Sequence, residues 1–214
     1  MRITKRFSWH KQSGDFAESF LRKSFPSSLG LRFRKIRRDK KGKKPDGWIL
    51  RDKQKIALSE IKLITYSAKS ALKGVHRVSI DRTIQRALAR AKEQLQSIKT
   101  TLPKIIFLIL DDPFANSRSI LDAAFGPWIT VTRAEKIIFN GPRGFHQTQR
   151  TSQDNKIFKN WLTAIFCYIP DTSGYKLLLF QQHNPPTKLP DELMQTEAIQ
   201  EIWEYSQTSV IKKK

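Results

Sequence analysis

The feature that most constrains the fold is an uninterrupted apolar run, Ile105–Leu110, that is followed by two aspartates. A strand that is apolar at every position is buried on both faces, and such strands lie inside sheets that other layers cover. Helical patterns precede the run and strand patterns flank it. The chain is therefore expected to be an α/β protein with a mixed central β-sheet sandwiched by helices.

Two segments before this run have the apolar periodicity of amphipathic helices. Residues 14–25 place Ala17, Leu21 and Phe25 at four-residue spacing, and residues 81–98 carry a longer stripe. That stripe consists of Ile84, Leu88, Ala91, Leu95 and Ile98. Both segments are long enough to cover part of a sheet.

The remaining elements follow from alternation, turn residues and breakers. Residues 29–38 alternate apolar and basic side chains and predict a strand with a basic face, whereas residues 65–80 predict a loop. Further along we expect a short helix near 116–125, a strand near 128–132, a polar loop at 141–156, a hairpin of strands 162–169 and 175–181, a final helix at 190–206 and a frayed tail at 212–214. We assign residues 1–135 to a core and residues 136–214 to a C-terminal extension packed on it as one domain.

Charge divides the chain into two unequal halves. Residues 1–100 hold 27 Lys and Arg against 8 Asp and Glu, a net +19 of the total +21. A field of this sign is typical of nucleic-acid-binding proteins, with solubility or membrane-surface binding as alternatives. No amphipathic helix has the apolar face that a membrane surface requires, and no run reaches the ~20 apolar residues of a membrane span.

Ten basic residues are candidates for contacts with the nucleic-acid backbone. They are Arg34, Arg37, Arg38, Lys40, Lys41, Lys43, Lys44, Arg82, Arg86 and Arg90. The three arginines from 82 to 90 recur along one helix face, so they form either a phosphate track or an ordinary solvated surface.

A single cysteine, Cys167, lies in an apolar segment and is expected to fill the core. One cysteine excludes an intrachain disulfide, and the N-terminus lacks the apolar stretch of a secretory signal, so we expect a cytoplasmic protein. The four histidines form no pair at a spacing that suits zinc.

The segment 46–64 predicts a hairpin that brings two acids together. A three-residue turn at 52–54 would place Asp46 directly opposite Glu60, with Cβ atoms ~5 Å apart. Lys62 follows two residues later and shares the face of Glu60. A two-residue turn would instead place Asp46 on the wrong face.

Two carboxylates at that distance demand a proton or a cation between them. Their repulsion is roughly 3 kcal/mol at an effective dielectric of 20. Oxygen ligands without nitrogen or sulfur suit Mg²⁺, with Mn²⁺ as a substitute. Such an ion lowers the pKa of a bound water beside a phosphodiester, and Lys62 would orient that water or stabilise developing charge.

The same residues match a known motif. Pro45-Asp46, thirteen residues and then Glu60-Ile61-Lys62 resembles the PD-(D/E)XK motif of the restriction-endonuclease-like nucleases. The resemblance covers about residues 14–110. It implies an α/β restriction-endonuclease-like core, Asp46 and Glu60 as metal ligands, the Ile61 carbonyl as a further ligand and Lys62 as the catalytic lysine.

The resemblance also implies accessory residues. Many members carry an acid on the first helix, a position that Glu18 fits, although Asp15 and Glu18 also have the spacing of a capping box. Some members carry a glutamine on the helix after the motif, and Gln85 and Gln94 are the candidates here.

These observations predict a Mg²⁺-dependent nuclease that hydrolyses DNA, and we favour endonucleolytic action because no end-binding feature is evident. A non-catalytic nucleic-acid-binding module on the same fold is the alternative from another class. An RNA-cleaving nuclease ranks third, since no aromatic-rich RNA motif is visible. Whether the chain forms a homodimer is left open.

Overall fold

The structure is a computed structural model of the chain. It describes residues 30–37, 44–65, 77–112, 115–142, 161–172, 174–195, 199–205 and 210–213. Within these ranges the strands are β1 (Leu31–Lys35), β2 (Gly47–Arg51), β3 (Gln54–Thr65), β4 (Lys104–Asp111), β5 (Trp128–Arg133), β6 (Lys136–Pro142), β7 (Ala164–Asp171), β8 (Gly174–Gln182), β9 (Ile199–Tyr205) and β10 (Val210–Lys212). The helices are α1 (Arg77–Gln96), α2 (Ser117–Phe125) and α3 (Asp191–Met194).

Eight of the strands form one mixed sheet in the order β1-β2-β3-β4-β7-β8-β9-β10. β3, β4 and β7 are parallel neighbours, β8 and β9 are also parallel, and the other pairs are antiparallel. The predicted central strand is confirmed, because β4 lies inside the sheet and Ile105–Leu110 is buried throughout. The chain is thus an α/β protein built on a large mixed sheet.

The two long helices pack on the same face of this sheet, which we call the helix face. α1 and α2 contribute apolar side chains to one core cluster with sheet residues such as Leu58 and Leu108. On the opposite face, Leu189 and Leu193 join Ile49 and Phe107 in a second cluster. In the described residues that face is therefore covered by the segment 183–195, in which only the one-turn α3 is helical, and not by a second long helix.

The predicted amphipathic helix is confirmed and is longer than expected. α1 begins at Arg77, so residues 77–80, which were predicted to be loop, are helical. Four stripe residues are fully buried, namely Ile84, Leu88, Ala91 and Leu95. Thr65, also predicted to be loop, is the last residue of β3, while the rest of the predicted loop, 66–76, and the predicted helix 14–25 lie outside the described residues.

The short helix predicted near 116–125 is also confirmed, and its ends have clear local causes. The side chain of Asn116 accepts a hydrogen bond from the Ser119 amide at 3.0 Å, which caps the helix N-terminus. Gly126 ends the helix with φ 82°, and its amide donates to the Asp122 carbonyl. No helix in the described part of the chain is both long and apolar enough to cross a membrane.

The predicted hairpin of strands β7 and β8 is confirmed, with Cys167 fully buried in β7. The strand near 128–132 is confirmed as β5. Its partner β6 was missed, and the two form a separate two-stranded sheet. Residues 143–156 of the predicted polar loop lie outside the described residues, whereas 141–142 belong to β6.

The final helix predicted at 190–206 is wrong. Only Asp191–Met194 is helical, and Ile199–Tyr205 forms strand β9 between β8 and β10. Ile199 and Tyr205 are buried in the two different core clusters, so the acidic segment lies in the sheet with apolar groups on both faces. Lys212, predicted to be part of a frayed tail, pairs with Trp203 as the last residue of β10.

The turn of the β2–β3 hairpin is shorter than predicted, but Asp46 still lies opposite Glu60. The turn has two residues, Asp52 at φ 47° and Lys53 at φ 71°, both in the left-handed region. The partners are Arg51 with Gln54, Leu50 with Lys55, Ile49 with Ala57, Trp48 with Leu58 and Gly47 with Ser59. The register shifts by one between the second and third pairs, because Ile56 is an extra residue that forms a β-bulge. The bulge cancels the shorter turn, and the continued register places Asp46 opposite Glu60.

Candidate active site

Asp46 and Glu60 are buried and locked together through backbone amides. Asp46 immediately precedes β2 and Glu60 lies in the middle of β3, with 7% and 1% of their surfaces exposed. The Asp46 amide donates to Glu60 Oε2 at 2.8 Å, and the Ile61 amide donates to Asp46 Oδ2 at 2.9 Å. The Glu60 carboxylate is thus held by the backbone of Asp46, and the Asp46 carboxylate by the residue after Glu60, so both side chains are fixed at one site.

Gly47 allows this close approach. A Cβ atom built at Gly47 would lie 2.3 Å from the Phe33 ring and 2.7 Å from the Arg34 carbonyl oxygen on β1. Only a residue without a side chain lets β1 pack over this position. The amide of Ile36, the residue after β1, donates to the Asp46 carbonyl at 2.9 Å and so also holds the Asp46 backbone in place.

Lys62 joins the acids, and α1 supplies its second partner. The Lys62 ammonium donates to Glu60 Oε1 at 2.5 Å and to Gln94 Oε1 at 2.5 Å. The Gln94 amide nitrogen donates to the Lys44 carbonyl at 3.2 Å. Gln94 therefore holds the lysine with one end and the chain just before Asp46 with the other, which orients its side-chain amide.

The environment opposes ionisation of Glu60. Burial raises the pKa of Glu60 from 4.5 to about 7, and the negative charge of Asp46 adds to this rise, although Lys62 and the Asp46 amide favour the ionised form. At Glu60, burial and the Asp46 charge therefore outweigh the effect of Lys62 and the Asp46 amide. A bound cation would relieve the repulsion and favour the ionised form of Glu60 at neutral pH.

The oxygen atoms at the site suit a hard divalent cation. Asp46 and Glu60 supply carboxylates, and no nitrogen or sulfur ligand stands beside them in the described residues. In a strand the N–H and C=O of one residue point to the same side, so the Ile61 carbonyl faces Asp46 as its amide does. The described residues contain no group of three or more Asp, Glu, His or Cys that would form a complete cage. Glu18, the predicted further ligand, lies outside the described residues.

The predicted basic residues divide into described and undescribed groups. Arg34 and Arg37 are exposed on and just after β1, and Arg82, Arg86 and Arg90 are exposed along α1. Lys44 is half-buried beside the site. Arg38, Lys40, Lys41 and Lys43 lie outside the described residues.

Of the two predicted glutamines, Gln94 reaches the site. Gln85 lies nine residues earlier on α1, about two and a half turns away along the helix. Sequence reasoning missed two supporting groups, the Gly47 backbone and the Lys44 carbonyl. The only signal for the first was a glycine directly after Asp46 in a strand pattern, which indicates close backbone approach.

Comparison with known proteins gives no relative: no protein family, no curated protein and no solved structure matches the chain.

Proposed function

We propose that this protein is a metal-dependent nuclease that hydrolyses phosphodiester bonds of DNA by endonucleolytic cleavage, on a restriction-endonuclease-like core. The observation that carries the proposal is the convergence of Asp46, Glu60 and Lys62 at one buried site, with Gln94 on the lysine. Pairs of carboxylates with a neighbouring ammonium suit metal-assisted hydrolysis at phosphorus.

Each residue has a distinct part in this proposal. Asp46, Glu60 and the Ile61 carbonyl would hold Mg²⁺, with Mn²⁺ as a substitute. When bound, the ion neutralises a phosphate oxygen and lowers the pKa of a coordinated water. Lys62 would leave Glu60 Oε1 and donate to the attacking water or to the charge that develops on the phosphate, while Gln94 retains its ammonium at the site.

The charge distribution supports a nucleic-acid substrate. The acids lie in the half of the chain that holds 27 of the 40 basic residues. The exposed guanidinium groups of Arg82, Arg86 and Arg90 lie along α1, the same helix that places Gln94 on Lys62. Exposed arginines of this kind bind phosphates without reading sequence, and they increase the rate of encounter with DNA.

Cleavage of closed circular plasmid DNA in Mg²⁺ tests the proposal. A closed circle has no ends, so nicked or linear product demonstrates endonucleolytic action. We expect cleavage by the wild type and none by Asp46→Ala or Lys62→Ala. Lys55→Ala is the matched control, because it removes the same charge from the same strand while its ammonium contacts the Trp48 ring and no acid of the site.

The outcomes separate the candidate functions. Equal cleavage by all four proteins would exclude the proposed site. Binding of plasmid without cleavage, and without a Mg²⁺ site that depends on Glu60, would identify a non-catalytic binding module. A parallel reaction with tRNA distinguishes an RNA-cleaving enzyme, which would degrade the tRNA and leave the plasmid intact.

A further inference from the structure

The β5–β6 hairpin stands apart from the main sheet. Among the described strands its two members pair only with each other. Ala134 at φ 48° and Glu135 at φ 63° form its two-residue turn. From Thr132 to Ile138 every residue is exposed, so this distal part projects from the body of the protein.

Apolar exposure is concentrated on this hairpin. The large apolar residues that are exposed in the described part of the chain are Ile137 (63%), Ile138 (58%), Ile211 (51%) and Tyr175 (48%). The first two are consecutive near the turn, and Ile138 is the extra residue of a β-bulge between the pairs Val131–Phe139 and Thr132–Ile137, which interrupts the alternation of faces along the strand. Two adjacent isoleucines left in water are a surface that gains from contact with a partner.

The charges beside the isoleucines favour a polyanion as that partner. Arg133 and Lys136 flank the turn and are exposed, and Glu135 is the single acid between residues 128 and 142. Thr130 and Asn140 are exposed and share a hydrogen bond at 3.3 Å. Basic groups around an apolar tip are the combination with which β-arms hold DNA, where the cations contact phosphates and the apolar groups contact bases.

The hairpin belongs to the same layer as the helices above the site. β6 contacts α2, α2 contacts α1, and α1 contacts β3, the strand that carries Glu60. The hairpin thus hangs from the helix face of the sheet, which is also the face of Glu60 and Lys62.

We propose that the β5–β6 hairpin enters a groove of duplex DNA, with Arg133 and Lys136 on the phosphates and Ile137 and Ile138 against the base pairs. The inference rests on the proposed function in that DNA is the substrate. It adds a second contact region to the arginines of α1.

Binding measured without cleavage tests the hairpin separately from the active site. Fluorescence anisotropy with a labelled duplex is performed in EDTA, with Asp46→Ala as the parent protein. We expect Ile137→Ser/Ile138→Ser to weaken binding at least about tenfold with an unchanged dependence on salt, because the lost contact is apolar. Arg133→Gln/Lys136→Gln should reduce the slope of log affinity against log salt by about 2, since two phosphate contacts disappear. Ile211→Ser is the control, being the same change at another exposed isoleucine.

Every result then supports or overturns the inference. Weaker binding by the double serine variant, with its melting temperature and oligomeric state equal to those of the parent, supports it. Binding equal to the parent overturns it, and so does a parent that binds no duplex. A dimeric parent that becomes monomeric on the double serine change identifies a self-association surface instead. If the hairpin changes weaken binding but the wild type never cleaves DNA, the nuclease proposal alone is refuted. If the wild type cleaves DNA and the hairpin changes alter neither binding nor cleavage, this inference alone is refuted.

Discussion

Two buried glutamates on the same sheet meet opposite electrostatic environments. Glu60 on β3 has a second carboxylate, Asp46, beside it, whereas the described groups that contact the Glu201 carboxylate on β9 are hydrogen-bond donors. Lys176 forms an ion pair with Glu201, Lys212 lies 3.3 Å from it, and the Trp203 indole donates to it at 2.9 Å.

The pKa values show what this difference means. Burial raises the pKa of both groups, and Asp46 raises that of Glu60 further, to about 7. At Glu201 the donors outweigh burial, and the pKa falls below its ordinary value. A buried carboxylate whose charge is balanced within the protein stabilises the fold. At Glu60 burial and the neighbouring carboxylate prevail instead, and a bound cation would offset them.

The largest contrast is expected in cleavage. Glu60→Gln removes a ligand charge, so we expect plasmid cleavage to fall by roughly 10³-fold or more. Glu201→Gln should leave the rate within about threefold, because roughly four strand spacings of 4.8 Å separate the two strands. Single-turnover rates with both variants measure this, and a comparable loss in the two would remove the distinction.

The pH dependence of stability should have opposite signs at the two sites. In the metal-free wild type, Glu60 binds a proton more tightly folded than unfolded. The free energy of unfolding should therefore fall by about 3 kcal/mol as pH rises from 4.5 through 7, and this decline should be missing from Glu60→Gln.

Glu201 contributes the reverse. Its lowered pKa stabilises the protein above pH 4.5, and this stabilisation is lost as pH falls through the folded-state value. Urea unfolding of the wild type and both glutamine variants in EDTA, from pH 4 to 8.5, separates the two contributions. If the free energy of unfolding depends on pH in the same way for Glu60→Gln and the wild type, then burial and Asp46 do not raise the pKa of Glu60.

Mg²⁺ should stabilise the protein through the site of Asp46 and Glu60 and not through Glu201. At a Mg²⁺ concentration 100 times the Kd, the folded state gains about 2.7 kcal/mol. We expect this stabilisation to appear as a higher melting temperature in the wild type and in Glu201→Gln, and to be absent from Asp46→Ala. A Mg²⁺-induced shift that persists in Asp46→Ala would place the cation elsewhere.

A smaller effect tests the packing behind Asp46. Gly47→Ala puts a Cβ against the Phe33 ring and the Arg34 carbonyl, which should cost roughly 2 kcal/mol and displace Asp46. The part of the pH profile that belongs to Glu201 should stay unchanged. Thermal melts and cleavage rates measure the two consequences. A Gly47→Ala variant with the stability and cleavage rate of the wild type would show that β1 shifts at little energetic cost.

The same contrast explains what the sequence could predict. Local pattern was sufficient for β4, α1 and the β7–β8 hairpin, because each carries its own periodicity. It failed at 199–205, where the acidic composition of 190–206 and its apolar residues Leu193, Ile202 and Trp203 suggested a helix. In the structure Lys176 and Lys212, from the neighbouring strands, balance the charge of Glu201, and a local sequence window contains no information on these contacts.

The acid pair was predicted through two errors that cancelled. A three-residue loop was predicted although the turn lacks the glycine that such loops favour. Asp52 and Lys53 instead adopt the left-handed conformation in a two-residue turn, and the bulge at Ile56 restores the register. The sequence around Ile56 contains no signal that predicts a bulge. The approach of Gln94 to Lys62 depends on how α1 packs on the sheet, so the sequence could only nominate two glutamines.

The segment 183–195 has a practical consequence for anyone dividing the chain into pieces. It runs beneath the strands of the site, where Glu192 pairs with Arg51 at the end of β2 and Thr187 donates to the Thr101 carbonyl. Leu189 and Leu193 close the underside of the sheet. A fragment that ends after β8 would keep every proposed catalytic group, but it would expose the apolar side chains beneath the β2–β3 hairpin. The shortest fragment that preserves the proposed site is therefore longer than the motif.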